Sequence, residues 1–486
     1  DATRYLCAAV QLDHELAKQA IESVFDEPHR AVASSPGVDL VCVLRYALAA
    51  RSRQVTAKVL LTLIAIGLVA SFVYQLGRTA PATGSYGPSL GLPPFTLPLL
   101  VLAWAVILIE RLTAYYGVVR PRLSRSAFDP AQAPRAARPQ DEARLGALAG
   151  QDHHGNVTVF SGYEPFIGYG RLIDSWNFTI PVDRPSEQAD AVLPFSLAEL
   201  ATEVTGAVEA LGLPGVEISE RVFVSGADLA QGLNPTLRRL LLPRPDERPQ
   251  VSLPPAVLDQ LREDGSGRAR PYLVTTVSGW GSEVVITTTV RFSLSPAKDA
   301  LFVEGAALLL PPIDRRHHLV DHLLDRPTWR QLLAHAGRSL TAAPGQLVRC
   351  AFAVIAFPVN LLINADKRHE QLRQIAKSEF NYGARMSIRQ TAAESKFHRY
   401  YQQIDREMYA KIVERRILDT LIDFLENHRV DVSELRERRS VIYNGGIFTS
   451  GNSRINFVNS SVAAGAGSRI RTLIGRGGTD RQKEKQ

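Results

Sequence analysis

Two runs without a charged residue dominate the pattern of apolar and polar positions: residues 59–76 and 79–109, separated only by Gly77 and Arg78. Within them, 59–76 and 92–109 each supply 18 uncharged residues. At 1.5 Å per residue, that length crosses most of a ~30 Å hydrocarbon core. The pattern predicts a transmembrane helical hairpin over 55–111. Pro93, Pro94 and Pro98 fall in the first turns of the second span, where missing N–H donors cost least. Tyr74, Trp104, Tyr115 and Tyr116 suit interfacial positions. The competing reading is a buried hairpin in a soluble protein, but such helices seldom stay uncharged for so long.

Beyond the hairpin the periodicity changes several times. In residues 1–54, Leu12, Leu16, Ala20, Val24 and Phe25 recur at helical spacing. Pro28 and residues 34–37 break that helix, and a second begins near Val38 that can run into the first span. Residues 112–150, with Pro121, Pro130, Pro134 and Pro139 among Ala, Gln and Arg, read as an extended linker.

Residues 151–345 read as a mixed α+β domain. Strand-like runs occupy 156–160, 175–180 and 218–224, with a helix over 195–211. Three β-rich runs, 272–277, 284–292 and 301–310, are joined by short turns and predict an antiparallel meander. Helix is expected over 319–340, interrupted near Pro327. Strands and helices do not alternate regularly, which disfavours a doubly wound sheet.

Residues 346–365 carry a third uncharged run, 350–365, with Pro358 and Asn360 in its middle. At ~24 Å it is short for a span. A helix in the inner membrane surface, a buried core helix and a third span all remain open. Residues 366–440 read as a charged helical region. There, Ile404, Met408, Ile412, Leu418, Leu421, Ile422 and Leu425 form one apolar stripe, suited to packing on the protein's own core or on a partner. Residues 441–486 form a Gly/Asn/Ser-rich basic tail. In 443–465, Ile447, Ile455, Phe457 and Val462 alternate with Asn444, Asn452, Asn456 and Asn459. That composition suits a flexible tail with a strand or two, or cross-β self-assembly of the kind found at the ends of some bacterial signalling proteins.

Charge then fixes an expected orientation. Arg45, Arg51, Arg53 and Lys58 precede the first span, and Arg111, Arg120, Arg122 and Arg125 follow the second, whereas the intervening loop 77–91 holds Arg78 alone. The positive-inside rule places both termini in the cytoplasm of a multi-pass plasma (inner) membrane protein. Residues 366–486 carry 23 Lys+Arg against 15 Asp+Glu, more than the whole-chain net charge of +7. This basic C-terminal region suits anionic lipid headgroups. No nucleic-acid-binding motif is present. The three cysteines, Cys7, Cys42 and Cys350, show neither CxxC nor metal spacing, consistent with a reducing compartment.

Candidate chemistry is sparse. On an α-helix over 314–322, Asp314 and His318 lie one turn apart, as do His318 and His322, and His317 and Asp321. His318, His322 and Asp314 are therefore candidate zinc ligands. Asp152, His153 and His154 could add a third only if the fold brings them near. Solvated polar residues at a helix start are the plainer reading. Gly162, Gly168 and Gly170 lack the third glycine and following helix of a phosphate loop, so a tight turn is favoured. Ser225 has a glycine on one side only and forms no nucleophile elbow. No cofactor is implied beyond the zinc candidate.

The run Asn156-Val157-Thr158-Val159-Phe160-Ser161-Gly162-Tyr163-Glu164-Pro165-Phe166-Ile167-Gly168, followed by Trp176-Asn177-Phe178, resembles a segment of uncharacterised actinobacterial two-pass membrane proteins. In layout the resemblance spans roughly residues 1–310. It implies a membrane address and no particular activity.

These readings converge on an α+β, membrane-anchored, non-enzymatic scaffold or signalling protein, able to form a homo-oligomer or bind a protein partner. The alternative is a membrane-anchored, metal-dependent hydrolase using His317, His318 and His322. A transport subunit is disfavoured because the spans hold no ionisable group.

Overall fold

The computed structural model describes residues 1–436 apart from 79–94, 153–154, 188, 214, 265–266 and 325. The expected self-assembling tail at 443–465, and His153 and His154, lie outside the described residues.

Helices α1 (Ala2–Leu12) and α2 (His14–Ala20) open the chain. Asp13 caps α2 by accepting from the Glu15 and Leu16 N–H groups, which ends one helix and starts the next. Helix α3 (Leu40–Arg78) then runs without a break for 39 residues. Its inner third packs with α1 and α2 through Val43, Leu44 and Ala47, while its outer part meets α4 (Thr96–Leu112). Leu40–Gln75 and Thr96–Leu123 are long and apolar enough to cross a membrane, and only 17% of each apolar window is buried. Leu60, Leu63, Phe72, Leu97, Val101 and Ile109 are exposed on this hairpin, an apolar skin that water would oppose and lipid would not.

The expected extended linker is a correction. Thr113–Val119 forms a π-helical continuation of α4, and Pro139–Asp152 forms helix α5. Val119, Leu123, Leu145 and Leu148 bury in the N-terminal core, and Arg45 of α3 pairs with Glu142 of α5. Proline spacing marked the breaks between these pieces, while the scattered leucines and valines that bury them were too few to show a period.

A six-stranded sheet follows, in spatial order β1–β3–β4–β5–β6–β2. Its strands are β1 (Val157–Phe160), β2 (Arg171–Pro181), β3 (Val216–Ser225), β4 (Ala269–Gly279), β5 (Val284–Leu294) and β6 (Ala300–Leu310). β1 pairs in parallel with β3, and the other neighbours are antiparallel. Helix α6 (Leu197–Glu209), inserted between β2 and β3, begins with a capping box of Ser196 and Glu199.

After β6 the chain forms a 3₁₀ helix, Arg315–His322, and then α7 (Trp329–Ala376), a single helix of 48 residues. It continues through Pro344 and Pro358, so the apolar run 350–365 is the middle of one helix rather than a separate element. Trp104 Nε1 donates to the Ala336 carbonyl at 2.9 Å, and Ala343, Leu347 and Cys350 join Leu61, Ile64 and Ile107 in one cluster. The far end returns to the body, where Gln371 donates to Glu27 and Ile375 packs beside β1 and β3.

Helix α8 (Tyr400–Asn427) closes the fold. Leu418, Leu421, Ile422 and Leu425 of the expected stripe pack with α6 against Leu273, Val290 and Val303 of the sheet, while Ile404 and Met408 stay exposed.

Candidate metal centre

The sequence placed candidate ligands along one α-helix, and the structure separates them. Arg315–His322 is a 3₁₀ helix with three residues per turn, so positions i and i+4 point about 120° apart rather than along one face. Asp314 caps this helix through the Arg316 N–H and binds the Arg316 side chain at 2.7 Å. His322 is exposed and His317 is buried. Of the three candidates, only His318 enters a cluster of possible ligands.

That cluster is Glu283, His318 and His398, whose ligating atoms all lie within 4.8 Å of one another. Two devices place them. Glu283 follows a tight β4–β5 turn in which Trp280, Gly281 and Ser282 all adopt positive φ. The turn is pressed against α1, since the Ala2 N–H donates to the Gly281 carbonyl and a Cβ at Gly281 would meet Asp1 at 2.9 Å. His318 and His398 come together because Ile313 and Ala393 form an antiparallel bridge, flanked by Asp314 N–H to Ala392 and Glu394 N–H to Pro312.

The His318 ring is held on both sides. Tyr5 stacks on it with 4.0 Å between ring centroids and His398 meets it edge-on at 5.0 Å, while its Nε2 is buried without a hydrogen-bond partner. This unpartnered nitrogen faces Glu283 and, when unprotonated, can serve as a ligand atom. Burial, and then the neighbouring His398, push its pKa down from 6.5 to about 4. The ring is therefore neutral at pH 7, and its 4.0 Å approach to Glu283 Oε2 is neither an ion pair nor a hydrogen bond.

Burial pushes the Glu283 carboxyl up, against the opposing pull of His398, Arg389 and Arg399. Arg389 lies fully buried beneath the turn and donates to the Glu283 and Pro311 carbonyls at 2.7 and 2.8 Å. His398 bonds Glu394 through Nε2 at 3.2 Å, and its backbone N–H donates to Gln402.

Two histidines and a carboxylate are a zinc-class donor set. Tetrahedral ligands at about 2.0–2.1 Å from a zinc ion stand roughly 3.4 Å apart, so the three donors need to close by about 1 Å or so to share one ion. Glu283 and His398 lay beyond the sequence reading because they stand 35 and 80 residues from His318 on other elements.

The glycine stretch, favoured as a tight turn over a phosphate loop, turns at Ile167 and Gly168, and Gly168 and Gly170 serve packing. Gly168 and Gly170 adopt φ of +95° and +101°, and a Cβ at Gly170 would fall 2.1 Å from the Leu309 carbonyl oxygen. Only glycine fits there.

A family model, described as an AbeC-like domain, matches residues 175–456. The chain belongs to the AbeC-like domain family. Glu283, His318 and His398 all lie within the AbeC-like segment, whereas the apolar hairpin precedes it. Of the residues behind the actinobacterial resemblance, the segment includes only Trp176, Asn177 and Phe178. No curated protein and no solved structure matches the chain.

Proposed function

We propose that this chain is a scaffold or signalling component anchored in the plasma membrane by a two-span hairpin, with its AbeC-like domain in the cytoplasm. In this reading a zinc-class ion at Glu283, His318 and His398 fixes the sheet against the base of the hairpin. One observation carries it: His318 and its two partners meet under Tyr5 of α1, whose ring stacks on His318 at 4.0 Å. Helix α1 belongs to the same core as the inner end of α3, the first apolar helix. An ion at this point would tie together the β4–β5 turn, the segment after β6 and the lead into α8, which the chain connects only at long range.

The test is elemental analysis of the full-length protein purified in detergent. About one zinc per chain is expected, lost in His318→Ala and His398→Ala and retained in His322→Ala. A metal-free wild type that takes up no zinc on addition overturns the metal centre. An N-terminal tag cleaved by protease added to intact cells overturns the orientation.

A second reading, a metal-dependent hydrolase, draws on the ligand count. Three protein ligands leave a fourth position for water, as catalytic zinc sites do. Zinc-dependent turnover of model ester or phosphodiester substrates, abolished in Glu283→Gln, would replace the scaffold reading with this one.

A further inference from the structure

Where α3, α4 and α7 meet beside α1 at the inner end of the hairpin, they form an open cavity of about 670 Å³. Four cations line it: Lys58, Arg111, Arg338 and Arg349. Lys58 contacts His14 Nε2 at 3.1 Å, and none of the four forms an ion pair among the described residues. The acid in the lining, Glu110, is engaged elsewhere by Arg53 at 3.0 Å. Cations gathered around one cleft repel one another, and an anion seated among them relieves that repulsion. His335, on the same wall, has its pKa pushed down by burial and then by Arg338 and Arg111, so it adds no further positive charge at neutral pH.

Gln11, Gln54, Thr62 and Gln346 share the rest of the wall with apolar residues. Leu61 and Ile107 line the cavity, and Leu60, Leu63 and Ile109 are exposed on the other faces of the same two helices. A ligand with a phosphate at one end and hydrocarbon at the other matches both parts of this wall. A free phosphate ion matches only the first.

We infer that this cavity binds the phosphate headgroup of an acidic phospholipid, with the acyl chains lying along the outer faces of α3 and α4. The inference rests on the membrane-anchored reading above. It assigns the lipid to the hairpin base, a site separate from the basic C-terminal region. Headgroup sites between helices at the cytoplasmic membrane boundary have this combination of clustered cations and an apolar wall.

Native mass spectrometry of the delipidated full chain in detergent tests it, with short-chain phosphatidylglycerol, short-chain phosphatidylcholine and inorganic phosphate as probes. One phosphatidylglycerol per chain is expected, at least tenfold tighter than phosphatidylcholine and not displaced by millimolar phosphate. The Arg111→Gln/Arg338→Gln/Arg349→Gln variant loses that preference at least tenfold. A control variant, Lys367→Gln/Arg368→Gln/Arg373→Gln, removes three exposed cations from the same helix outside the cavity and keeps it. Should the cavity variant fail to fold, single substitutions at Arg338 and Arg349, which are exposed on α7, carry the test with about threefold losses each.

Equal binding of the two lipids overturns the inference, as does equal loss in the control variant. Displacement by phosphate reassigns the cavity to a free anion. Carbonate extraction of cell membranes separates the two readings. A chain that resists extraction but shows no lipid preference refutes this inference alone, whereas a chain released into solution refutes the membrane anchor itself.

Discussion

The Tyr5 ring lies face to face on the His318 imidazole, with 4.0 Å between centroids and 16° between planes. The Tyr5 hydroxyl donates to Asp321 at 2.5 Å, and Arg4 binds the same carboxylate through two nitrogens. Helix α1 therefore covers the cluster and fixes the angle of its central histidine. A stacked ring of this kind typically contributes about 0.5–1.5 kcal/mol, up to roughly tenfold in affinity. Tyr5→Ala is expected to weaken zinc binding up to about tenfold, and Tyr5→Phe, which keeps the stack, by about threefold or less. Competition against a chromophoric chelator measures both.

Acid should loosen the metal-free protein through His318. Its folded pKa of about 4 lies below the ordinary 6.5, so the unfolded chain binds the proton more readily. The stability it contributes is complete above pH 6.5 and is lost as pH falls toward 4, by roughly 2–3 kcal/mol. His318→Phe keeps a ring against Tyr5 and removes the titration. Melting curves of chelated protein should fall less steeply between pH 6.5 and 4 in this variant than in wild type.

Glu414 on α8 works in the opposite sense. Burial, and then Asp174, raise its carboxyl from 4.5 to about 7, against a hydrogen bond from Trp176. The unfolded chain releases this proton first, so its contribution is fully present below pH 4.5 and is lost as pH rises through 7. Glu414→Gln should therefore match wild type near pH 4.5 and exceed it above pH 7, by on the order of 2 kcal/mol. Urea unfolding at pH 5 and pH 8 gives the comparison.

Arg53 ties the hairpin base together. It binds Glu110 at 3.0 Å across the two apolar helices, and it donates to the Gln11 side chain at 2.7 Å and to the Gln11 carbonyl at 3.1 Å. Arg53→Ala leaves a half-buried carboxylate and amide without these partners, at a cost of about 2 kcal/mol or more. A lower melting temperature in detergent is expected, with Arg53→Lys restoring only part because an ammonium lacks the planar fork.

What the sequence disclosed follows the range of each signal. The two apolar helices and the β4–β5–β6 meander were legible because composition and alternation are local, and so was the fusion of the helix near Val38 with the first span. The parallel pairing of β1 with β3 was not legible, since it joins strands more than fifty residues apart through non-adjacent elements. Eight residues cannot separate a period of 3.0 from 3.6, so Arg315–His322 read as α-helical and His322 seemed to share a face with His318. Glu283 and His398 carried no local mark. The Ile313–Ala393 bridge that brings His398 to His318 is a tertiary contact.

Helix α3 has a mechanical consequence. It is one unbroken helix from Leu40, in the N-terminal core, to Arg78, with Leu61 about midway along it. The segment from Leu61 back to Leu40 is about 31 Å long, so a tilt of ~10° at Leu61 would swing its inner end by about 5 Å. Apolar helices tilt to match the thickness of their surroundings. The helix is thus a lever with no joint along its length, and a change in bilayer thickness would arrive at Tyr5 and the three donors beneath it as a displacement.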